Sequence, residues 1–428
     1  MNRLIMITKV IELFKTNQSF FKGLSINLFL RVIAVIATLI SGILITRSIL
    51  EEGRGVYNLF ITSLTMFNLF LNFGFNSSAL TISNQYPEKR ISFFSFNILI
   101  AFVSSLLLGF LLLFLPNLIP LKSTTIIFLF IITYLMYSIQ LTVRSLMIGQ
   151  DDIIFSGKVD AVIKVFLLLF CILLFYIDLL SITSSIILLF LEYLVYTTIG
   201  SFKLKIKKLD FKMDFIFLKT LFNFNTKSYV FGIFFFILLR GDQYIVKYFL
   251  GNFQTGIYTQ SGVITEQLQI LSAIAATMFI PKFLKEKDFR VVIQKTNKLL
   301  LFVLVLNLII GLVFYFMAPW VIEVYFKNKN QISIDTLRIL LIGFIPWSLY
   351  AVLNIMMHSV RYKKSNIVIL GTITIANILI NYIYGPQFGI RFIAIVSTCS
   401  YSILFICSYF DMFYLKKRNY IKKTSRLD

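Results

Sequence analysis

Five cations stand in or beside stretches that are otherwise apolar: Arg31, Arg144, Lys164, Arg240 and Lys247. An arginine well inside a bilayer costs ~2.5–3.5 kcal/mol on insertion scales, so such residues face a water-filled cavity or the interior of a helix bundle. Polar residues recur beside them at helical spacing. Asn27, Arg31, Ala34, Thr38 and Ser41 share one face of the first apolar segment, and Asn68, Asn72 and Asn76 share one face of the second. Gln243 falls on the face of Arg240 and Lys247, and Gln269 continues a stripe through Tyr258, Gly262 and Thr265. A cationic, polar vestibule within a membrane suits an anion better than a cation. Asp242 and Glu266 are candidates for coupling to an ion or for pairing with Arg240. Asp160 and Lys164, four residues apart, would neutralise each other on one helix face.

Catalytic chemistry has little to work with. The single histidine, His358, supports neither a His-based metal cluster nor a Ser-His-Asp triad, and it reads as a residue at a helix end beside Arg361 and Lys363. Cys171, Cys399 and Cys407 lack CxxC spacing and lie in apolar segments. The pair Asp151-Asp152 has no partner carboxylates nearby and reads as a polar turn. No catalytic residue, metal site or cofactor is expected.

The elements that must position these side chains are membrane helices. The 428 residues are 58% hydrophobic and only 14% charged, with a mean hydropathy of +0.86, whereas soluble domains carry about 25% charged residues. A crossing needs ~20 apolar residues. On that measure the chain is an all-α integral membrane protein of about twelve transmembrane helices, at 24–46, 56–80, 92–115, 123–143, 157–177, 180–200, 226–249, 257–280, 299–319, 337–357, 366–384 and 390–412. The connections are short.

A repeat organises them. Leu50–Tyr57 reads Leu-Glu-Glu-Gly-Arg-Gly-Val-Tyr, and Leu250–Tyr258 reads Leu-Gly-Asn-Phe-Gln-Thr-Gly-Ile-Tyr, one residue longer. Each copy follows the first long apolar segment of its half, with Tyr57 and Tyr258 separated by 201 positions. The spacing predicts two six-helix bundles related by an in-parallel repeat. Arg47 closes the first helix, Gly53 and Gly55 supply backbone freedom for the reversal, and Tyr57 anchors at the outer membrane interface. Arg54 belongs to the same loop. Gly251, Gly256 and Tyr258 repeat the arrangement, and Pro281 stops the eighth helix. The expected units are an interfacial arm at 1–23, bundles at 24–200 and 226–413, a basic linker at 201–225 and a basic tail at 414–428.

The net charge of +22 would suggest nucleic acid in a soluble protein. Here it marks topology. Most of the 41 Lys and Arg lie in the arm, the alternate loops, the linker and the tail, which puts both termini in the cytoplasm by the positive-inside rule. The arm has no cleavable signal pattern; Leu4, Ile7, Ile11 and Phe14 share a face suited to the membrane surface. The linker's lysines suit anionic membrane lipids.

The run Thr46-Arg47-Ser48-Ile49-Leu50-x-x-Gly53-x-Gly55-x-Tyr57 resembles the first-loop pattern of polysaccharide-exporting flippases in the MATE-like MOP (multidrug/oligosaccharidyl-lipid/polysaccharide) superfamily. Asp242-Gln243, Tyr248-Phe249-Leu250-Gly251, Gly256-Ile257-Tyr258, Glu266 and Pro281 are similar to its seventh and eighth helices. Glu51 departs from the pattern, standing where that family has a glycine after the leucine, and the second half has no counterpart of Arg47. The resemblance implies a non-enzymatic flippase of the bacterial inner membrane. Its substrate would be an undecaprenyl-pyrophosphate-linked oligosaccharide, the repeat unit of O-antigen or capsule, moved by alternating access. A polymerase and other export components are the partners it implies, and H+ or Na+ the coupling ion. In that setting the five cations would meet the pyrophosphate and the Asn, Gln and Tyr stripes the sugar hydroxyls. The competing readings are a multidrug cation antiporter of the same superfamily and a membrane enzyme of a polysaccharide pathway.

Overall fold

The computed structural model describes residues 18–114, 124–150, 152–206, 208–211, 215–277, 289–327, 330–360 and 364–424. Among them the chain is helical, without strands. The α-helices are α1 (Gln18–Leu71), α2 (Phe75–Gln85), α3 (Arg90–Phe114), α4 (Thr124–Gly149), α5 (Ile153–Tyr176), α6 (Ile182–Lys203), α7 (Phe215–Thr277), α8 (Phe289–Phe326), α9 (Gln331–Val360) and α10 (Lys364–Thr424). Helices satisfy every backbone group internally, which lipid requires. Pro281 and the N-terminal residues Leu4, Ile7, Ile11 and Phe14 lie outside the described residues, as does the side chain of His358.

Nine stretches of these helices are long and apolar enough to cross a membrane, among the described residues. Three of them reverse direction inside. In α1 the turn residue is Leu50 (φ 57, ψ −175), in α7 Gly251 (φ 80, ψ −177) and in α10 Gly389 (φ 74, ψ −170). Contacts prove the reversals. Twelve residues of straight helix span about 18 Å, yet a Cβ on Gly42 would stand 3.7 Å from Arg54 Nη2. The Tyr258 hydroxyl reaches Asp242 Oδ2 at 2.5 Å, and Asn377 Nδ2 donates to Ser400 Oγ at 3.0 Å. Each of the three therefore holds two crossings. Among the described residues twelve crossings result, as expected.

The reversal of α1 differs from expectation in its cause. Gly53 and Gly55 are helical; the backbone turns at Leu50, 64% exposed, in a region that glycine adopts freely and leucine does not. The two glycines are instead needed for close packing. A Cβ on Gly55 would lie 2.5 Å from Asn252 O, and one on Gly256 would lie 1.9 Å from Glu51 O. These contacts exchange under a shift of 201 positions, which carries Gly55 to Gly256 and Glu51 to Asn252. The same shift carries Leu50 to Gly251, so the turns match residue for residue and the extra residue precedes them. Asn58 Nδ2 donates to Thr259 Oγ1 at 2.8 Å, again 201 positions apart. A local two-fold axis thus runs between α1 and α7 where their hairpins touch.

The expected crossing at 56–80 is interrupted. Phe73 (φ 50) and Gly74 (φ 76) break it into the end of α1 and α2. The broken end is held by amides: Asn76 N donates to Asn72 Oδ1 at 2.9 Å, Asn76 Nδ2 to Asn68 Oδ1 at 3.3 Å and Thr142 Oγ1 to Asn76 Oδ1 at 2.7 Å. Helices also run further than the apolar segments. α1 begins at Gln18, α7 at Phe215, and α10 continues to Thr424, because lysine and arginine propagate helix well while hydropathy registers only the apolar part.

Aromatic side chains fill the interior of each half. Phe60, Phe130 and Tyr134 are buried in the first, and Phe231, Trp347 and Tyr350 in the second. Outward positions such as Phe110, Phe166, Leu312 and Phe410 remain exposed. Lipid provides no hydrophobic drive between such helices, so close packing and interhelical hydrogen bonds hold them together. The linker is tied to the first half: Ser92 Oγ donates to Asp210 Oδ2 at 2.6 Å, and Asp210 N donates to Ser95 Oγ at 2.8 Å.

Candidate functional site

A cavity of about 260 Å³ lies between the halves, walled by α1, α5, α6 and α7. Five charged side chains line it: Arg54, Lys164, Glu192, Arg240 and Glu266. Four of them form two ion pairs. Lys164 Nζ stands 2.6 Å from Glu192 Oε1 in the first half, and Arg240 Nη2 stands 2.7 Å from Glu266 Oε2 in the second. The remaining charge is Arg54. It is 4% exposed and takes part in none of the ion pairs among the described residues. Its Nε donates to Gln260 Oε1 of the other half at 2.6 Å, its guanidinium lies 5.3 Å from the Tyr57 ring centroid, and its Nη1 is buried without a hydrogen-bond partner. The cavity therefore carries an excess positive charge, and that charge sits on Arg54.

The five cations singled out from the sequence do not converge. Lys164 and Arg240 line the cavity, but Arg31 and Arg144 lie elsewhere. Arg31 is nineteen positions before the turn at Leu50, about 28 Å along a straight helix. Both arginines hold Asp160 of α5, Arg31 Nη1 at 3.0 Å and Arg144 Nη2 at 3.6 Å from its Oδ2. Asp160 and Lys164 consequently do not pair with each other, as their spacing suggested; each turns to a different helix. Lys247 hydrogen-bonds Asn252 at the hairpin, away from the cavity. Arg47, next to the turn, donates from Nε to the Val324 carbonyl of α8 at 2.8 Å.

The polar stripes also divide. Thr38 and Tyr57 line the cavity with Ser41 and Asn58. Asn68 and Asn72 are buried in the amide network of the broken helix, and Asn27 Oδ1 packs on Gly157, where a Cβ would stand 2.7 Å away. These three serve helix packing. Gln243, Gln269, Asp242, Tyr258 and Glu266 line a second, smaller cavity of about 40 Å³ within the second half. There Asp242 is 2% exposed, accepts from Tyr258 and from Ser397 Oγ (3.0 Å), and keeps Oδ1 without a partner. Glu266 borders both cavities.

Arg54 is the residue that sequence reasoning placed in an external loop. The signal that could have moved it was the 201-residue register, which sets Leu50 rather than the glycines on the turn and leaves Arg54 a full helical turn inside.

This plan of two repeated halves around a central cavity has solved counterparts. An inward-facing multidrug resistance MATE family transporter of the MOP superfamily superposes with a TM-score of 0.66 at 13% identity, over 92% of this chain and 99% of the other. The fold is that of the MOP transporters. The lipid II flippase MurJ, in an inward closed conformation, gives 0.66 at 16% identity over 91% and 87%. A MOP superfamily transporter from Pyrococcus furiosus, described by a binding pocket of reversed polarity that suggests a different function, gives 0.66 at 12% over 92% and 93%. By sequence, 180 residues are 25% identical to an uncharacterized membrane protein of Methanocaldococcus jannaschii; the match spans 41% of each chain. No protein-family model matches the chain.

Proposed function

We propose that the protein is a flippase that moves an undecaprenyl-pyrophosphate-linked oligosaccharide, an O-antigen or capsule repeat unit, across the bacterial inner membrane by alternating access. The observation that carries this reading is the charge state of the central cavity. Both of its carboxylates are held by Lys164 and Arg240, while Arg54 is buried without a counterion. Export of an organic cation calls for a free buried acid there, and the cavity offers an arginine instead. An arginine fork matches phosphate oxygens, and hydroxyl and amide groups of Thr38, Ser41 and Asn58 suit sugars. The fold accommodates such a change of polarity: lipid-linked and multidrug transporters share it, and its Pyrococcus member is described by a pocket of reversed polarity.

In this reading the halves rock against each other, so that the hairpin seam closes and parts, and the prenyl chain stays in lipid between them. The lysine-rich linker and both termini lie on the cytoplasmic face, and a polymerase takes the product on the other. Asp242, with its free Oδ1, is the group offered to H+ or Na+, while Glu266 is held by Arg240. The test is deletion of the gene in its host, followed by locating lipid-linked single units across the inner membrane. Accumulation on the cytoplasmic face is expected. Accumulation on the outer face would point to a polymerase, and an unchanged pool with raised drug sensitivity to an efflux antiporter.

A further inference from the structure

Arg54 is more than one cation among several, because the group that orients it belongs to the opposite half. The Nε–Gln260 bond crosses the seam between α1 and α7. Close to it, Asn58 Nδ2 donates to Thr259 Oγ1 at 2.8 Å and Thr62 Oγ1 to Gln243 Oε1 at 2.9 Å. The seam also holds the contact of Gly55 with Gly256, where neither position has room for a Cβ. With Nε engaged by Gln260, the guanidinium is fixed while Nη1 keeps its donor capacity; Gln260 Nε2 is likewise buried without a partner. Nη2 packs beside Gly42, where an added Cβ would be in van der Waals contact with it at 3.7 Å and with Tyr325 Cε1 at 3.8 Å, and Arg54 lines the cavity of about 260 Å³.

We propose that Arg54 is a conformation-dependent anion anchor: it binds a phosphate group through the end of its guanidinium when the hairpin seam is closed, and lets go when the seam parts and Gln260 no longer orients it. Gln260 is then a positioning residue. Coupling between sites is reciprocal, so an anion on Arg54 favours the closed seam by the same factor by which closure raises its affinity. Capture and release of the headgroup follow from one hydrogen bond made and broken between the halves. The inference rests on the flippase reading only for the identity of the lipid; the anchor itself requires no more than a phosphate.

Binding of inorganic pyrophosphate and of farnesyl pyrophosphate, with farnesol as control, is measured calorimetrically on the purified full chain in nanodiscs. We expect Arg54→Gln to weaken pyrophosphate at least 50-fold, Arg54→Lys about 5-fold, and Gln260→Leu about 10-fold although Gln260 keeps no charge. Nitroxides at Glu52→Cys and Phe253→Cys, beside the two turns, should report a shorter and narrower distance when pyrophosphate is added, and no change in Arg54→Gln. Farnesyl pyrophosphate binding much more tightly than pyrophosphate marks a lipid-linked ligand; equal affinities mark a free phosphate, and either outcome supports the anchor. Unchanged affinity in Arg54→Gln, unchanged affinity in Gln260→Leu, or a widened seam on binding would each overturn the proposal. Intact pyrophosphate binding with no lipid-linked unit accumulating in the deletion strain would discard the oligosaccharide reading and leave the anchor standing. Size-exclusion profiles matching the unsubstituted chain confirm that each variant is folded.

Discussion

Gly256→Ala tests the seam most directly. The added Cβ would stand 1.9 Å from the Glu51 carbonyl oxygen and 3.2 Å from Gly55 N, both backbone atoms that no rotamer change can move. A comfortable carbon–oxygen approach is about 3.3 Å, so α1 and α7 must separate by about 1.4 Å at this point. That separation stretches the bonds Arg54–Gln260, Asn58–Thr259 and Thr62–Gln243, now at 2.6, 2.8 and 2.9 Å, beyond useful length. At ~1 kcal/mol net for each bond, the closed seam loses ~3 kcal/mol, about 10²-fold in the equilibrium between closed and open. Double electron–electron resonance between nitroxides at positions 52 and 253, in a background with the three cysteines replaced by serine, measures the result. The short-distance population should collapse in Gly256→Ala and persist in Gly262→Ala, where an added Cβ meets nothing within 4 Å. Identical distance distributions for the two variants would refute the reasoning, because the calculation depends wholly on the backbone contact.

Leu50→Gly should raise thermal stability by ~1–3 kcal/mol, read from melting in detergent, because leucine occupies a glycine region there and its exposed side chain gives up little packing. The Lys164–Glu192 pair, with side chains 24% and 15% exposed, should behave as a unit. Lys164→Met or Glu192→Leu alone should cost ~1–3 kcal/mol, and the two together should recover most of it; strictly additive losses in melting would contradict the pairing. Asp242→Asn should leave the chain folded and abolish the dependence of transport on the H+ or Na+ gradient in proteoliposomes. Transport that still follows the gradient in that variant would move ion coupling elsewhere.

Helix number was legible in the sequence because hydropathy reads crossings directly. The hairpin motif was legible because Gly256, the position with least room for a side chain, admits only glycine beside a backbone carbonyl. Of the ionic partners, Arg240 with Glu266 was among the readings the sequence offered, but those of Asp160 and Lys164 were not. Spacing along one helix offers only partners three or four residues away, so Asp160 seemed matched to Lys164; the structure sends it to Arg31 and Arg144 on two other helices. Arg54 was hidden by a different cause. A leucine at positive φ is marked only by its register with Gly251, so the neighbouring glycines drew the turn toward themselves and carried Arg54 out of the membrane with it. Asn68 and Asn72 looked like a cavity stripe because polar residues at helical spacing are equally suited to water and to the amide network that holds a broken helix.

The local two-fold axis carries a further consequence. Asn58 meets Thr259 and Gly55 meets Gly256, positions that are images of each other. In an isologous dimer of identical half-length chains, a residue on the axis would meet itself, and only a side chain that both donates and accepts can hydrogen-bond its own image. Away from the axis, any charge would appear twice. Arg54 has Thr255 as its image, and its partner Gln260 has Leu59. Fusion of the halves into one polypeptide is what permits a solitary positive charge beside the axis, where two identical chains would be obliged to place two.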